Sequence, residues 1–262
     1  MTQSNRNQFS NSATTDWKPL IARHWSQRSD GYNRWVLRSL RTPGYRKPFE
    51  AIFSRVFGPP PLHIVDVGTG PGVVSFLLKG LGHKLTAVDL SEGMLEQARL
   101  NSKTLHYDVE FQQADAENLP FADASFDGLA SRLVLWNLTN PERALREWVR
   151  VLRPGGKLVI LDCDMGKLRP GWWWRKLWQI ASAPIVILTE QRNPLEKRMK
   201  RKDVNRLPMS QVKRPDWEME QLRKLGLSEL RKETVGRAQL GLLDYLKYGY
   251  WGGYVGVSGV KR

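Results

Sequence analysis

Cysteine is almost absent from these 262 residues: Cys163 stands alone. A single thiol excludes intramolecular disulfides, thiolate metal clusters and paired-cysteine redox chemistry. Long apolar runs are missing as well. The most apolar stretch outside the core pattern, Ala181–Leu188, contains Pro184 and follows Arg175 and Lys176, whereas a membrane-crossing helix needs about 20 mostly apolar residues. The opening MTQSNRNQFSNSATTDW lacks the basic, apolar and small-residue succession of a secretory signal. These absences lead us to expect a soluble, cytoplasmic chain, attached at most to a membrane surface. Internal repeats are lacking too.

Negative charge is scarce overall but unevenly so. The formal charge is +15, yet residues 58–164 carry 10 Lys and Arg against 14 Asp and Glu. Residues 1–57 carry 10 against 3, and residues 165–262 carry 21 against 9. Of the eleven tryptophans only Trp136 and Trp148 lie in the middle. Positive charge and indoles therefore belong to the flanks, outside the central fold. The length suits one core with insertions. We expect a disordered tail over 1–15, a helical cap over 16–57, an α/β core over 58–164, a variable basic and Trp-rich lid over 165–220, and C-terminal strands over 221–262.

The core alternates strand and helix patterns, which predicts a parallel sheet covered by helices on both faces. Leu62–Gly68 reads as a buried strand between prolines and glycines. Val73–Lys79 follows as a helix, Lys84–Asp89 as a second strand, and Ser91–Asn101 as a helix with a serine cap. Val109–Gln113 and Phe126–Ser131 are the third and fourth strands. Pro141–Leu152 is a helix, Arg153–Gly156 a turn, and Lys157–Asp162 the fifth strand. Two or three helices are expected between Trp17 and Phe57. Pro215–Leu225 reads as a helix, with strands at Leu227–Glu233 and Tyr254–Val260.

Four features occur in order along this core. First comes Asp66-x-Gly68-x-Gly70-x-Gly72, directly after a buried strand, where glycines let the backbone turn sharply and approach a ligand. Second is Asp89, closing the next strand 17 residues past Gly72, where a carboxylate accepts from ribose hydroxyls. Third is Gln113-Ala114-Asp115-Ala116, with Asp115 suited to accept from an adenine amino group and Met94 to pack on the ring. Fourth is Phe126-Asp127, opening the fourth strand. We place all four at or beside the carboxyl ends of parallel strands, where open α/β sheets bind ligands. A glycine loop also serves nicotinamide and flavin dinucleotides; Asp66 and the third-strand acid favour another adenosyl cofactor.

The succession VDVGTGPG, AVDLS, GML, QADAENLPF, FD and VLRPGGKL, over about residues 60–162, resembles the class I S-adenosylmethionine (SAM)-dependent methyltransferases, particularly their small-molecule and quinone branch. The resemblance implies a Rossmann-like, seven-stranded and mostly parallel sheet. It implies that Asp66, Gly68, Thr69 and Gly70 surround the methionine end of SAM, that Asp89 and Leu90 meet the ribose, and that Met94, Asp115 and Ala116 meet the adenine. A family tyrosine in an N-terminal helix reaches the SAM carboxylate; Tyr32 stands in a similar context, with Trp25 before it. Arg132 and Trp136, after the fourth strand, face the expected methyl position, unless they are ordinary packing. Trp172, in the WWWRKLW cluster, joins Trp25 and Trp136 as a candidate acceptor contact. Asp127 fits a structural role better than a ligand contact.

The acceptor is not named by these motifs. His24, Tyr32, Asp162 and Asp164 are candidates for a general base, with none singled out; surface or loop roles suit His63, His83 and His106, and a small buried role suits Cys163. A small molecule that is aromatic, lipophilic or anionic is the leading reading, with no metal. RNA is the second, from a sequence pI near 10.1, although SRLVLWNL has no motif for gripping a base edge. A non-catalytic SAM-fold binder is the third. The segments WWWRKLWQIASAPIVIL and NPLEKRMKRKDVNR would either form an aromatic acceptor wall with a solvated face or lie on an anionic membrane.

Overall fold

A computed structural model describes residues 17–163, 172–190, 207–235, 242, 246–247 and 253–262. The tail at 1–15 and the basic run at 192–206 lie outside the described residues, as does Asp164. Three helices come first: α1 (Lys18–Ser26), α2 (Ser29–Arg41) and α3 (Pro43–Phe57). The core then runs β1 (His63–Val67), α4 (Val73–Gly80), β2 (Lys84–Asp89), α5 (Glu92–Leu105), β3 (Glu110–Gln113), β4 (Phe126–Arg132), α6 (Pro141–Val151) and β5 (Leu152–Cys163). Beyond it stand α7 (Trp172–Glu190), α8 (Asp216–Lys224), β6 (Leu227–Val235) and β7 (Tyr254–Lys261).

The seven strands form one sheet in the order β3-β2-β1-β4-β5-β7-β6. The first five are parallel and β7 runs antiparallel to both neighbours. From β1 the chain winds outward through β2 and β3, then returns to lay β4 on the other side of β1. The strand order reverses there, so the carboxyl ends of β1 and β4 open a crevice. The strand residues alternate between two apolar layers. Val65, Leu158 and Ile160 pack with Trp148 of α6 and Leu222 of α8, while Ile64, Val159 and Leu161 pack with Phe53 and Phe57 of α3 and Leu77 of α4.

Local chemistry accounts for several boundaries. Ser91 caps α5 by accepting from the Met94 N–H at 3.2 Å, and Asn140 caps α6 by accepting from Arg143 N–H at 3.0 Å, with Pro141 at the first helical position. At the far end of α6, Lys261 of β7 donates to the Val149 and Leu152 carbonyls at 2.8 and 2.6 Å. A cation there meets the negative end of the helix dipole.

The expected turn at Arg153–Gly156 falls within the bounds of β5, between Leu152, which pairs with Phe126, and Lys157, which pairs with Gly128. Pro154 precedes Gly155 at φ 77°, the arrangement of a type II turn, so the extra residues make a tight excursion in the strand.

Candidate active site

The loop after β1 is shaped by left-handed glycines. Gly68, Gly70 and Gly72 have φ of 73°, 55° and 98°, a region where a side chain costs roughly 1–2 kcal/mol. Space adds to this: a Cβ on Gly68 would lie 2.1 Å from Val134 Cγ2, and one on Gly72 would lie 2.4 Å from the Phe76 ring. A Cβ on Gly70 would instead meet the Tyr32 ring at an ordinary 3.7 Å, so Tyr32 stands over the loop.

Two carboxylates hold this loop. Asp66, fully buried, accepts from Ser75 N–H at 3.0 Å and from Ser75 Oγ at 2.7 Å; burial raises its carboxyl above the usual range against these bonds. Thr69 is buried beside it, its hydroxyl 3.1 Å from that of Ser75. Asp89 accepts from Gly70 N–H at 2.8 Å and Ser91 N–H at 2.9 Å. Its carboxyl is pushed up to about 6, by burial first and then by the charge of Asp66, against the pull of the backbone N–H groups. The side chain is only part-buried at the mouth of the crevice, and each carboxylate oxygen keeps acceptor capacity.

Leu90 follows at the mouth, its carbonyl accepting from Gln113 Nε2 at 3.0 Å, and Met94 is buried in the first turn of α5. Asp115 is already engaged. Lys18 of α1 sits 2.7 Å from Asp115 and 2.7 Å from Glu117, and Glu117 N–H donates to Asp115 at 2.9 Å. Ala116 turns its carbonyl to Trp148 Nε1 at 2.9 Å. The cap is fastened over α5 by Ser26 with Ser91 at 2.8 Å and by Asn33 with Gln97 at 2.7 Å.

On the other side of the crevice the flanks converge. Trp25 meets Tyr32 and Trp136 edge-on, at ring separations of 6.0 and 6.3 Å. Arg132, at the end of β4, is buried and donates to the hydroxyls of Tyr32 at 3.2 Å, Tyr45 at 3.1 Å and Tyr254 at 3.1 Å. Burial pushes the Tyr45 hydroxyl well above its ordinary value, opposed by the Arg132 charge. Sequence reasoning missed Tyr45 and Tyr254, because they come from α3 and the first position of β7 and no local spacing links them to the site. Because β7 is antiparallel, it begins where β5 ends, opposite Cys163 and at the crevice.

The remaining candidates are placed differently. Asp127 accepts from His63 N–H at 2.9 Å and pairs with Arg153 at the starts of β1 and β4, so the Phe126-Asp127 feature lies at the sheet edge away from the crevice. Asp162 is fully buried, paired with Arg214 at 3.0 Å, and accepts from Trp136 N–H at 3.1 Å. Arg214 also pairs with Glu218. Asp162 therefore positions the Trp136 segment rather than serving as a base. His63, His83 and His106 sit at the start of β1, beneath the loop at Leu62, and at the end of α5. The side chains of Trp172 and Cys163 lie outside the described residues. Among the described residues no cluster of His, Cys, Asp and Glu could hold a metal ion.

Residues 65–160 match the family model described as a methyltransferase domain. Over 152 residues the chain is 32% identical to a ubiquinone/menaquinone biosynthesis C-methyltransferase of Rubrivivax gelatinosus, covering 58% of each chain. Over 101 residues it is 44% identical to a demethylmenaquinone methyltransferase of Clavibacter sepedonicus, covering 38% of this chain and 40% of that one. The chain thus spans between two fifths and three fifths of these relatives. A solved SAM-dependent methyltransferase of Thermotoga maritima superposes with a TM-score of 0.59 at 23% identity, over 92% of this chain and 99% of that one. That likeness bears on the fold, which is the Rossmann-like class I fold.

Proposed function

Because the core of this chain belongs to the class I SAM-dependent methyltransferases, we propose that the whole chain transfers a methyl group from SAM to a small, lipophilic acceptor of the quinol type. The observation that carries the reading is Asp89. It stands at the end of β2, bonded to Gly70 N–H of the left-handed glycine loop that follows β1, the strand beside which the order reverses. The donor set fits an adenosyl group: a part-exposed carboxylate for the ribose hydroxyls, a loop without side chains for close approach, and Met94 and Asp115 beyond it.

When bound, SAM supplies a methyl on a positively charged sulfur, which leaves by in-line displacement. The chain's own work is then to hold the acceptor atom close and collinear and to exclude water. Asp89 would accept from the ribose hydroxyls, while Tyr32 and Arg132 stand beside the glycine loop, where the carboxylate would be held. Trp25 and Trp136 form an aromatic wall beyond them. That wall and the quinone names of the relatives support an apolar ring as acceptor. The basic flanks alone supported RNA, and nothing in the matched relatives favours that reading or a non-catalytic one.

Calorimetry with S-adenosylhomocysteine, followed by transfer of labelled methyl to benzoquinol, naphthoquinol and RNA, tests the proposal. Binding of the nucleoside and labelling of a quinol are expected. Failure to bind it, or Asp89→Ala binding as well as the parent, would overturn the cofactor assignment. Labelling of RNA alone would overturn the acceptor class.

A further inference from the structure

Helix α7 faces its apolar side outward. At 3.6 residues per turn, Trp174, Leu177, Ile180, Ala181, Pro184, Ile187 and Leu188 fall on one arc of about 140°. Trp174 is 61% exposed, Leu177 50%, Ile180 63%, Ile187 51% and Leu188 82%. No charged residue falls on that arc. Ser182 and Val186, on the opposite side, are buried. A surface helix ordinarily shows the reverse arrangement. Trp178 Nε1 donates to the Leu246 carbonyl at 2.7 Å, which brings a further exposed leucine against this helix. Among the described residues no helix is long and apolar enough to cross a membrane.

We propose that this face of α7 lies in the headgroup region of an anionic lipid bilayer. Charge selects that occupant. The chain carries +15, and the stretch of sequence 164–206 that includes α7 contains 11 Lys and Arg against 4 Asp and Glu. Arg38 of α2 donates to the Thr189 carbonyl at 3.0 Å, joining α7 to a helix on which Arg34 and Arg41 are exposed. A second copy of the chain would bring the same positive charge to the contact, whereas anionic headgroups neutralise it. An apolar stripe with tryptophan on a basic chain is the form of a helix that lies in the interface plane. The contact is separate from the glycine loop and Asp89, and goes beyond the proposed acceptor, so lipid binding and methyl transfer can fail independently.

The test is flotation of the full chain with vesicles of phosphatidylcholine, alone or mixed with phosphatidylglycerol. Binding to the mixed vesicles is expected, weakened by salt, and reduced about tenfold or more in the Leu177→Glu, Ile187→Glu double variant. That variant keeps its calorimetric affinity for S-adenosylhomocysteine. Brominated acyl chains should quench the tryptophan emission of the parent more than that of Trp174→Phe. Absence of binding to mixed vesicles at low salt overturns the proposal, as does equal flotation and quenching of parent and variants. A concentration-dependent dimer that the double variant abolishes, without vesicle binding, would make a second copy the occupant and overturn it as well.

Discussion

In the core, the carboxylates of the crevice answer groups nearby in the chain: Asp66 binds Ser75, nine residues on, and Asp89 binds Ser91 and, 19 residues back, Gly70. In the flanks, the corresponding contacts reach across the whole fold. Arg132 meets Tyr45, Tyr32 and Tyr254 at separations of 87, 100 and 122 residues, and Lys18 meets Asp115 at 97. The difference separates two tasks. The glycine-loop and ribose end, made of short-range contacts, is rebuilt wherever the local motif recurs, whereas the carboxylate and adenine ends and the aromatic wall depend on how cap and last strand are laid over the sheet.

The largest expected effect comes from the joint between these regions. Arg214→Met leaves Asp162 and Glu218 buried without their counter-charge, both being almost fully enclosed; a loss of about 3–5 kcal/mol in urea unfolding follows from breaking such a network. A loss under about 1 kcal/mol, the range of an exposed pair, would mean that the lid side is not coupled to the core. Next is Gly68→Ala, where the left-handed backbone and the Val134 clash combine. It should cost roughly 2–4 kcal/mol and abolish nucleoside binding, and Val134→Ala should restore part of the stability.

Asp89→Asn should weaken S-adenosylhomocysteine binding roughly tenfold to a hundredfold at neutral pH, by removing a charged acceptor. The parent should also lose affinity as pH falls below about 6, where the raised carboxyl takes up its proton. The asparagine variant should be flat over that range; parallel pH curves would assign the titration elsewhere. The smallest effect is at Lys18. Its pairs with Asp115 and Glu117 are part-exposed, so Lys18→Met should change affinity by only about twofold to fivefold. Tighter binding marks Lys18 as a competitor for the adenine-side carboxylate; weaker binding marks it as a support of that carboxylate.

Most strands are legible because their signals are local. Lys84–Asp89 has the same bounds in sequence and structure, and Val73 opens α4 where the glycines end. Arg153–Gly156 is legible as a turn from its proline and glycines; that the turn interrupts a strand instead of preceding one shows only in the pairing of Leu152 with Phe126. Motif order groups Asp127 with the ligand-end residues, yet a residue that opens a parallel strand lies at the opposite edge, here against His63 and Arg153. Asp162 looks available at the end of β5 until Arg214, 52 positions later, is brought against it.

Glycine spacing and strand periodicity by themselves determined the core strands, the glycine loop and the place of Asp89, because backbone conformation and short-range hydrogen bonds decide those features. The tertiary structure alone decided that Tyr45 and Tyr254 surround Arg132, that Lys18 engages Asp115, and that α7 turns its apolar side outward. The reason is that these contacts join helices and strands whose sequence separation carries no local signal; only packing on the common sheet brings them together.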